Sequence, residues 1–221
     1  MLRGLFVTGT DTNVGKTVVA AALLRRYRGD VPLRYWKPIQ TGIERDDDTA
    51  EVCRLAGCDP HEFQSPGIRL PNPVSPHLAA RMSGQTIAIG PLAAAWRQEP
   101  GAARWIVEGA GGVLVPLNNS DVMADLMVNL NLPVVVVART ALGTINHTLL
   151  TIEALHRRSL HVAVVVMVGV PDPENREAIE RHGQVTILGE MPPFDPLTQT
   201  ALAAWSAANL DPHSVLLEFL R

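Results

Sequence analysis

Residues 133–138 and 162–168, within the runs LPVVVVA and HVAVVVMVG, are apolar at consecutive positions and dominated by valine. A strand with one wet face alternates polar and apolar residues, so runs this dense require burial on both faces. Their brevity and β-branching favour strands of a parallel sheet over buried helices. Parallel neighbours need a crossover, and residues 143–158 supply a helix with Leu149, Ile152 and Leu155 on one side. Four further runs, LFVTG, LRYWKP, RWIVEGAGG and VTILGEM, alternate with helical spacing in the same way. The chain therefore reads as α/β, with a mostly parallel central sheet and helices on both faces. Residues 57–91 are least regular, because Pro60, Pro66, Pro71, Pro73 and Pro76 interrupt any long element. That stretch is either a substrate loop or a crossover.

Directly after the first run comes GTDTNVGKT, residues 9–17. Where a strand gives way to a helix, Gly15 with Lys16 and Thr17 can turn backbone N–H groups and the positive helix end toward phosphate oxygens. Lys16 can then neutralise terminal phosphate charge, and the Thr17 hydroxyl can ligate Mg²⁺. The usual loop places four residues between its first glycine and Gly-Lys; here Gly9 and Gly15 enclose Thr10, Asp11, Thr12, Asn13 and Val14, with Thr10 at the expected glycine. The fold expected is a single P-loop domain over residues 1–221.

A hard cation beside phosphates needs oxygen ligands. Glu108 ends the strand-like WIVE at the edge where α/β sheets bind ligands. It either holds the metal or is satisfied by the backbone amides of residues 109–112. In RDDDTAEV, Asp48 either reaches the metal or caps a helix with Glu51 in a D-x-x-E arrangement. Lys37, in YWKPIQTG, is either a second cation at the phosphate edge or an exposed lysine before the turn-forming Pro38. SPH at 75–77 reads as a helix start, with Ser75 capping and Pro76 in the first turn.

A length of 221 residues and 47% hydrophobic content allow one sizeable core. The net charge of −3, with both signs mixed along the chain, offers no basic surface for nucleic acid or an anionic membrane. Apolar runs fall short of the ~20 residues that span a bilayer, and no export signal is evident. Cys53 and Cys58 lack metal-ligand spacing and read as reduced thiols, which fits the cytoplasm.

Taken in order, G-T-D-T-x-V-G-K-T at 9–17, K-P-x-x-T-G at 37–42, V-E-G-A-G-G at 107–112, L-G-T-I-N-H at 142–147 and L-G-E-M-P at 188–192 resemble the dethiobiotin synthetase family over nearly the whole chain. The resemblance implies a homodimeric, ATP-dependent ligase of biotin biosynthesis. It takes CO₂ onto diaminopelargonate as a carbamate, phosphorylates it and closes a cyclic urea. It further implies that Lys16 and Lys37 are catalytic and that Thr17, Asp48 and Glu108 hold Mg²⁺. Thr12, Asn13, Val14, Gly15, Gly111, Gly189, Met191 and Pro192 join the nucleotide site in that picture, and Thr12 and Thr41 face the carbamate. Asp11 accepts from the substrate amine or braces the loop. The backbone of Gly143, Thr144, Ile145 and Asn146 would receive the substrate's tail carboxylate across the dimer interface.

Two features depart from relatives. Asn13 stands where some members carry an acid, and Val168 stands where many carry an asparagine that reads adenine. An apolar wall discriminates weakly, so ATP or another NTP is expected to serve. ParA and MinD ATPases share the fold but resemble K-G-G-x-G-K-T at the loop, whose early lysine is here Thr10 or Asp11. Cobyrinate-type amidotransferases would carry a further glutaminase domain. Lys16 and Lys37 are both expected as accessible side chains whose replacement leaves stability nearly unchanged.

Overall fold

The computed structural model describes residues 3–59, 62–63, 67–98 and 103–221; Pro60 and Pro66 lie outside them. Six strands form one parallel sheet: β1 (Arg3–Gly9), β2 (Leu33–Trp36), β5 (Arg104–Gly112), β6 (Val134–Arg139), β7 (Val162–Val168) and β8 (Ile187–Met191), in the order β2-β5-β1-β6-β7-β8. All six runs read as strands are strands.

Their composition follows from burial on both faces. In β6, Val134, Val136 and Ala138 join one apolar layer, while Val135 and Val137 join the other. The first layer is covered by α3 (Pro76–Met82), α4 (Ile89–Arg97), α5 (Met123–Leu130), α6 (Thr144–His156) and α7 (Pro173–Gly183). The second is covered by α1 (Lys16–Tyr27), α2 (Asp48–Ala56), α8 (Gln199–Asn209) and α9 (Leu217–Leu220). Trp96 stacks on Trp36 at 5.6 Å and meets Trp105 edge-on at 5.4 Å, which seals the first layer near the β2 edge.

Strand order reverses around β1, which lies between β5 and β6, and this opens a crevice at the carboxyl ends of the central strands. A second, two-stranded parallel sheet joins β3 (Ile39–Thr41) to β4 (Ile68–Leu70) beside that crevice. With α3, β4 gives residues 57–91 more order than their prolines suggest. Each element there is short because a proline follows or opens it: Pro71 after β4, Pro76 at the start of α3.

Candidate active site

The phosphate loop is shaped by its backbone. Asn13 and Gly15 both adopt positive φ, at 56° and 100°, immediately before α1. Asparagine tolerates this region better than other residues with side chains, which gives Asn13 a conformational role without an acid. A Cβ on Gly9 would lie 2.6 Å from the Val14 side chain, so the tight turn requires glycine there. Asp11 braces the loop: its carboxylate accepts from the Thr12 N–H at 2.7 Å and lies 3.6 Å from Arg139 at the end of β6. Arg139 also donates to the Thr12 carbonyl at 2.7 Å.

Around the loop lies a cavity of about 630 Å³, lined by residues that include Thr12, Lys16, Thr17, Lys37, Thr41, Asp48, Glu108 and Gly111. The sequence-predicted cations and acids thus converge. Lys37 Nζ lies 2.5 Å from Asp48 Oδ2 and 2.7 Å from Glu108 Oε1, and donates to the Gly109 carbonyl at 3.1 Å. The Thr17 hydroxyl is 3.0 Å from both Asp48 Oδ1 and Glu108 Oε1. Tyr35 donates to Glu108 Oε2 at 2.9 Å. Tyr35 and Lys37 are two residues apart in extended chain, so both reach the same face; alternation could have flagged Tyr35.

Three expectations need correction. Lys16 and Lys37 are buried, at 7% and 5% exposure, because the loop, β5 and α2 close over them. The cap of α2 is Asp47, whose carboxylate accepts from the N–H groups of Thr49 and Ala50. Glu51 pairs with Arg54, which leaves Asp48 free to face Lys37 and Thr17. Ser75 occupies the N-cap of α3 without a side-chain cap, its hydroxyl lying 3.1 Å from His77 Nδ1.

Charge within the site is strongly coupled. Burial opposes the charge on Lys37, but Glu108 and Asp48 outweigh it and raise its pKa. Burial likewise opposes the Asp48 charge, and Lys37 outweighs it, so the carboxyl titrates below its usual range. Burial pushes the Tyr35 hydroxyl upward, Glu108 adds to the effect, and the phenol stays protonated. Lys16 differs: burial and then the neighbouring Lys37 lower its pKa to about 8, and among the described residues its ammonium donates only to the Asp11 carbonyl, at 2.8 Å. Polyphosphate would restore the favoured charge. Nucleotide binding at pH 8 is therefore expected to take up about half a proton per site. Calorimetry in buffers of different ionisation enthalpy should detect this uptake rising with pH, and Lys16→Met should abolish it.

Among the described residues no cluster of three His, Cys, Asp or Glu side chains could hold a metal. The donor set still fits Mg²⁺, which takes one or two carboxylates and completes its shell with water and phosphate oxygens. Thr17, Asp48 and Glu108 supply oxygens only, and Thr17 lies within 3.0 Å of both acids.

Other predicted residues lie elsewhere. Val14 is buried beneath the loop. Gly189 and Met191 belong to β8 and Pro192 follows it; the Met191 carbonyl accepts from the Gly169 N–H at 2.9 Å. A Cβ on Gly15 would meet the Val168 side chain at 3.1 Å, so β7 delivers an apolar residue against the phosphate loop. Asn175, in the first turn of α7, donates through its amide nitrogen to the Thr140 carbonyl and to Asp172.

Gly143, Thr144, Ile145 and Asn146 do not line their own chain's cavity. The Thr144 hydroxyl donates to the Arg139 carbonyl and its N–H to the Ala141 carbonyl. Among the described residues no acceptor meets the N–H of Ile145 or Asn146. Leu142 is fully exposed, and Leu114 and Leu150 are more than half exposed.

Over residues 3–201 the chain matches the family model described as an AAA domain. It is 46% identical over 202 residues to the ATP-dependent dethiobiotin synthetase BioD of Paramagnetospirillum magneticum, covering 91% of this chain and 94% of that protein. To the BioD of Rhodopseudomonas palustris (strain BisB18) it is 42% identical over 204 residues, covering 92% and 94%. A ParA family ATPase from Chlorobium tepidum superposes with a TM-score of 0.53 at 12% identity, over 99% of this chain and 97% of that one. The MinC:MinD complex of Aquifex aeolicus gives 0.53 at 13%, over 92% and 86%. These structural likenesses establish the fold, whereas the sequence relatives go further: by their identity and coverage, the chain belongs to the ATP-dependent dethiobiotin synthetase family.

Proposed function

We propose that this chain, as a single domain and a cytoplasmic homodimer, closes the cyclic urea of dethiobiotin from diaminopelargonate, CO₂ and ATP in biotin biosynthesis. The observation that carries the proposal is the meeting of Lys37 with Asp48, Glu108 and Thr17 in the cavity that also receives Lys16. One amine takes CO₂ as a carbamate with loss of a proton. A carbamate oxygen then attacks the γ-phosphorus, and the bond to the ADP oxygen breaks. Attack by the second amine on the carbamoyl carbon expels phosphate, and the loss of its proton leaves the urea.

Carbamate and γ-phosphate are both anionic, so they approach only where positive charge is fixed beforehand. Lys16 and Lys37 provide that charge, with Thr12 and Thr41 offering hydroxyls to the carbamate. Mg²⁺, held by Thr17, Asp48 and Glu108, would neutralise phosphate charge. Tyr35 and the Gly109 carbonyl keep Glu108 and Lys37 oriented. Ile145 and Asn146 of the neighbouring subunit would receive the tail carboxylate on free N–H groups.

The test is incubation with bicarbonate, the diamine, Mg²⁺ and each of ATP, CTP and GTP, with detection of the urea product. ATP-dependent urea formation is expected, and its absence from folded protein with all substrates would overturn the proposal. The Val168 wall predicts only a modest penalty for the other nucleotides; a preference for ATP above roughly a thousandfold exceeds what an apolar wall supplies.

A further inference from the structure

Gln40 sits at the centre of β3, 3% exposed, and lines the same cavity as Lys37, Thr41 and Asp48. Its amide nitrogen donates to the Thr41 carbonyl at 2.9 Å and to the Asp46 carbonyl at 3.0 Å, which uses both N–H donors. The opposite amide orientation would set its oxygen against those two carbonyls, so the hydrogen bonds fix which atom is which. Its oxygen, buried, then meets no donor among the described residues. A buried amide oxygen without a partner is costly, and a ligand N–H would relieve that cost.

The other acceptors in the cavity are engaged or solvated. Asp48 and Glu108 are spent on Lys37, Thr17 and Tyr35, and Asp46 is exposed to water. Lys16, Lys37 and the backbone N–H groups of the phosphate loop supply donors to anions, and the Thr12 and Thr41 hydroxyls, which also line the cavity, are assigned above to the carbamate. We propose that the Gln40 amide oxygen accepts a hydrogen bond from one amino group of the vicinal diamine, making Gln40 a substrate-selecting residue. This rests on the ring-closure reading above. A neutral acceptor suits an amine that must react, because it orients the nitrogen and leaves it free to lose a proton, whereas a carboxylate would favour the unreactive ammonium.

The experiment is calorimetric binding of the diamino acid, and of the two monoamino acids that lack one amine or the other, to the unaltered protein and to Gln40→Met and Gln40→Glu. Gln40→Met should weaken diamine binding roughly tenfold. It should weaken one monoamine similarly, leave the monoamine that lacks the contacted nitrogen unchanged, and leave ATP affinity unchanged. Gln40→Glu, which keeps an acceptor but loses the donors, should retain the difference between the two monoamines. Equal loss for all three ligands would assign Gln40 to bracing residues 41–46 and overturn the inference, as would no loss for any. If Gln40→Met also loses ATP binding, the loop has collapsed, and the contrast between monoamines in Gln40→Glu decides. Unaltered protein that binds ATP but not the diamine would remove the ring-closure reading itself.

Discussion

Lys37→Met is expected to slow ring closure by about 10²–10³-fold at saturating substrate, the usual cost of deleting one transition-state electrostatic contact. Without metal and nucleotide it should also destabilise the fold by about 3–5 kcal/mol, because it strands charge that the pair had compensated. Glu108 is fully buried and Lys37 nearly so, at 2.7 Å, with Asp48 at 2.5 Å on the same ammonium. In a chain of this size the loss corresponds to a melting temperature lower by roughly 6–20 °C. Mg²⁺ should return part of it, since a cation could then meet Asp48 and Glu108 in place of the lysine. Lys16→Met makes the contrast. Among the described residues Lys16 has no carboxylate at ion-pair distance, and its charge is disfavoured by burial, so that variant should lose phosphoryl transfer without losing stability. Thermal melts and single-turnover rates on the two variants decide the matter. Near-normal ring closure by Lys37→Met would return Lys37 to a structural role, and equal melting temperatures for both variants would refute the stranded-charge argument.

The divergence between these lysines marks where sequence reasoning stops. Strand identity was legible because a strand buried on both faces leaves an unbroken apolar run, as in VVVVA and VAVVVMV. That Lys16, Lys37 and Glu108 share one edge was legible because parallel strands deliver their carboxyl ends there, whereas Asp48, which opens α2, was placed beside them by the family resemblance alone. Burial of the two lysines was not, since it depends on how the loop, β5 and α2 close over them. Nor was the choice of cap among Asp46, Asp47 and Asp48, which differ only in backbone angle at the start of α2. Gln40 gave no signal either. Its importance lies in a neighbourhood of carbonyls that the string KPIQTG does not display, and β3 pairs with a strand 29 residues later, Ile39 against Ile68.

A mixture of Lys16→Met and Asn146→Asp chains, each poorly active alone, is expected to recover about a quarter of normal activity after subunit exchange. Random pairing makes half the dimers mixed, and each mixed dimer carries one intact site of two if Lys16 and Asn146 act from different subunits. The structure motivates this arrangement. Asn146 is exposed in the first turn of α6, away from its own chain's cavity, and its N–H and that of Ile145 meet no acceptor among the described residues. The turn before it presents a fully exposed Leu142, and α6 carries the exposed Leu150 near Leu114, apolar surface that a second copy would cover. Asn146→Asp is chosen because a carboxylate there favours the positive end of α6 and spares the fold, yet repels the substrate's own carboxylate. The loss should therefore appear in KM for the diamine more than in kcat. Recovery from the low activity of the parent variants to about a quarter would be a change of one to two orders of magnitude. Mass spectrometry of differently tagged chains can establish exchange independently. Were exchange complete and activity still at the parental level, each site would be built within one chain, and the free N–H groups of α6 would need another ligand.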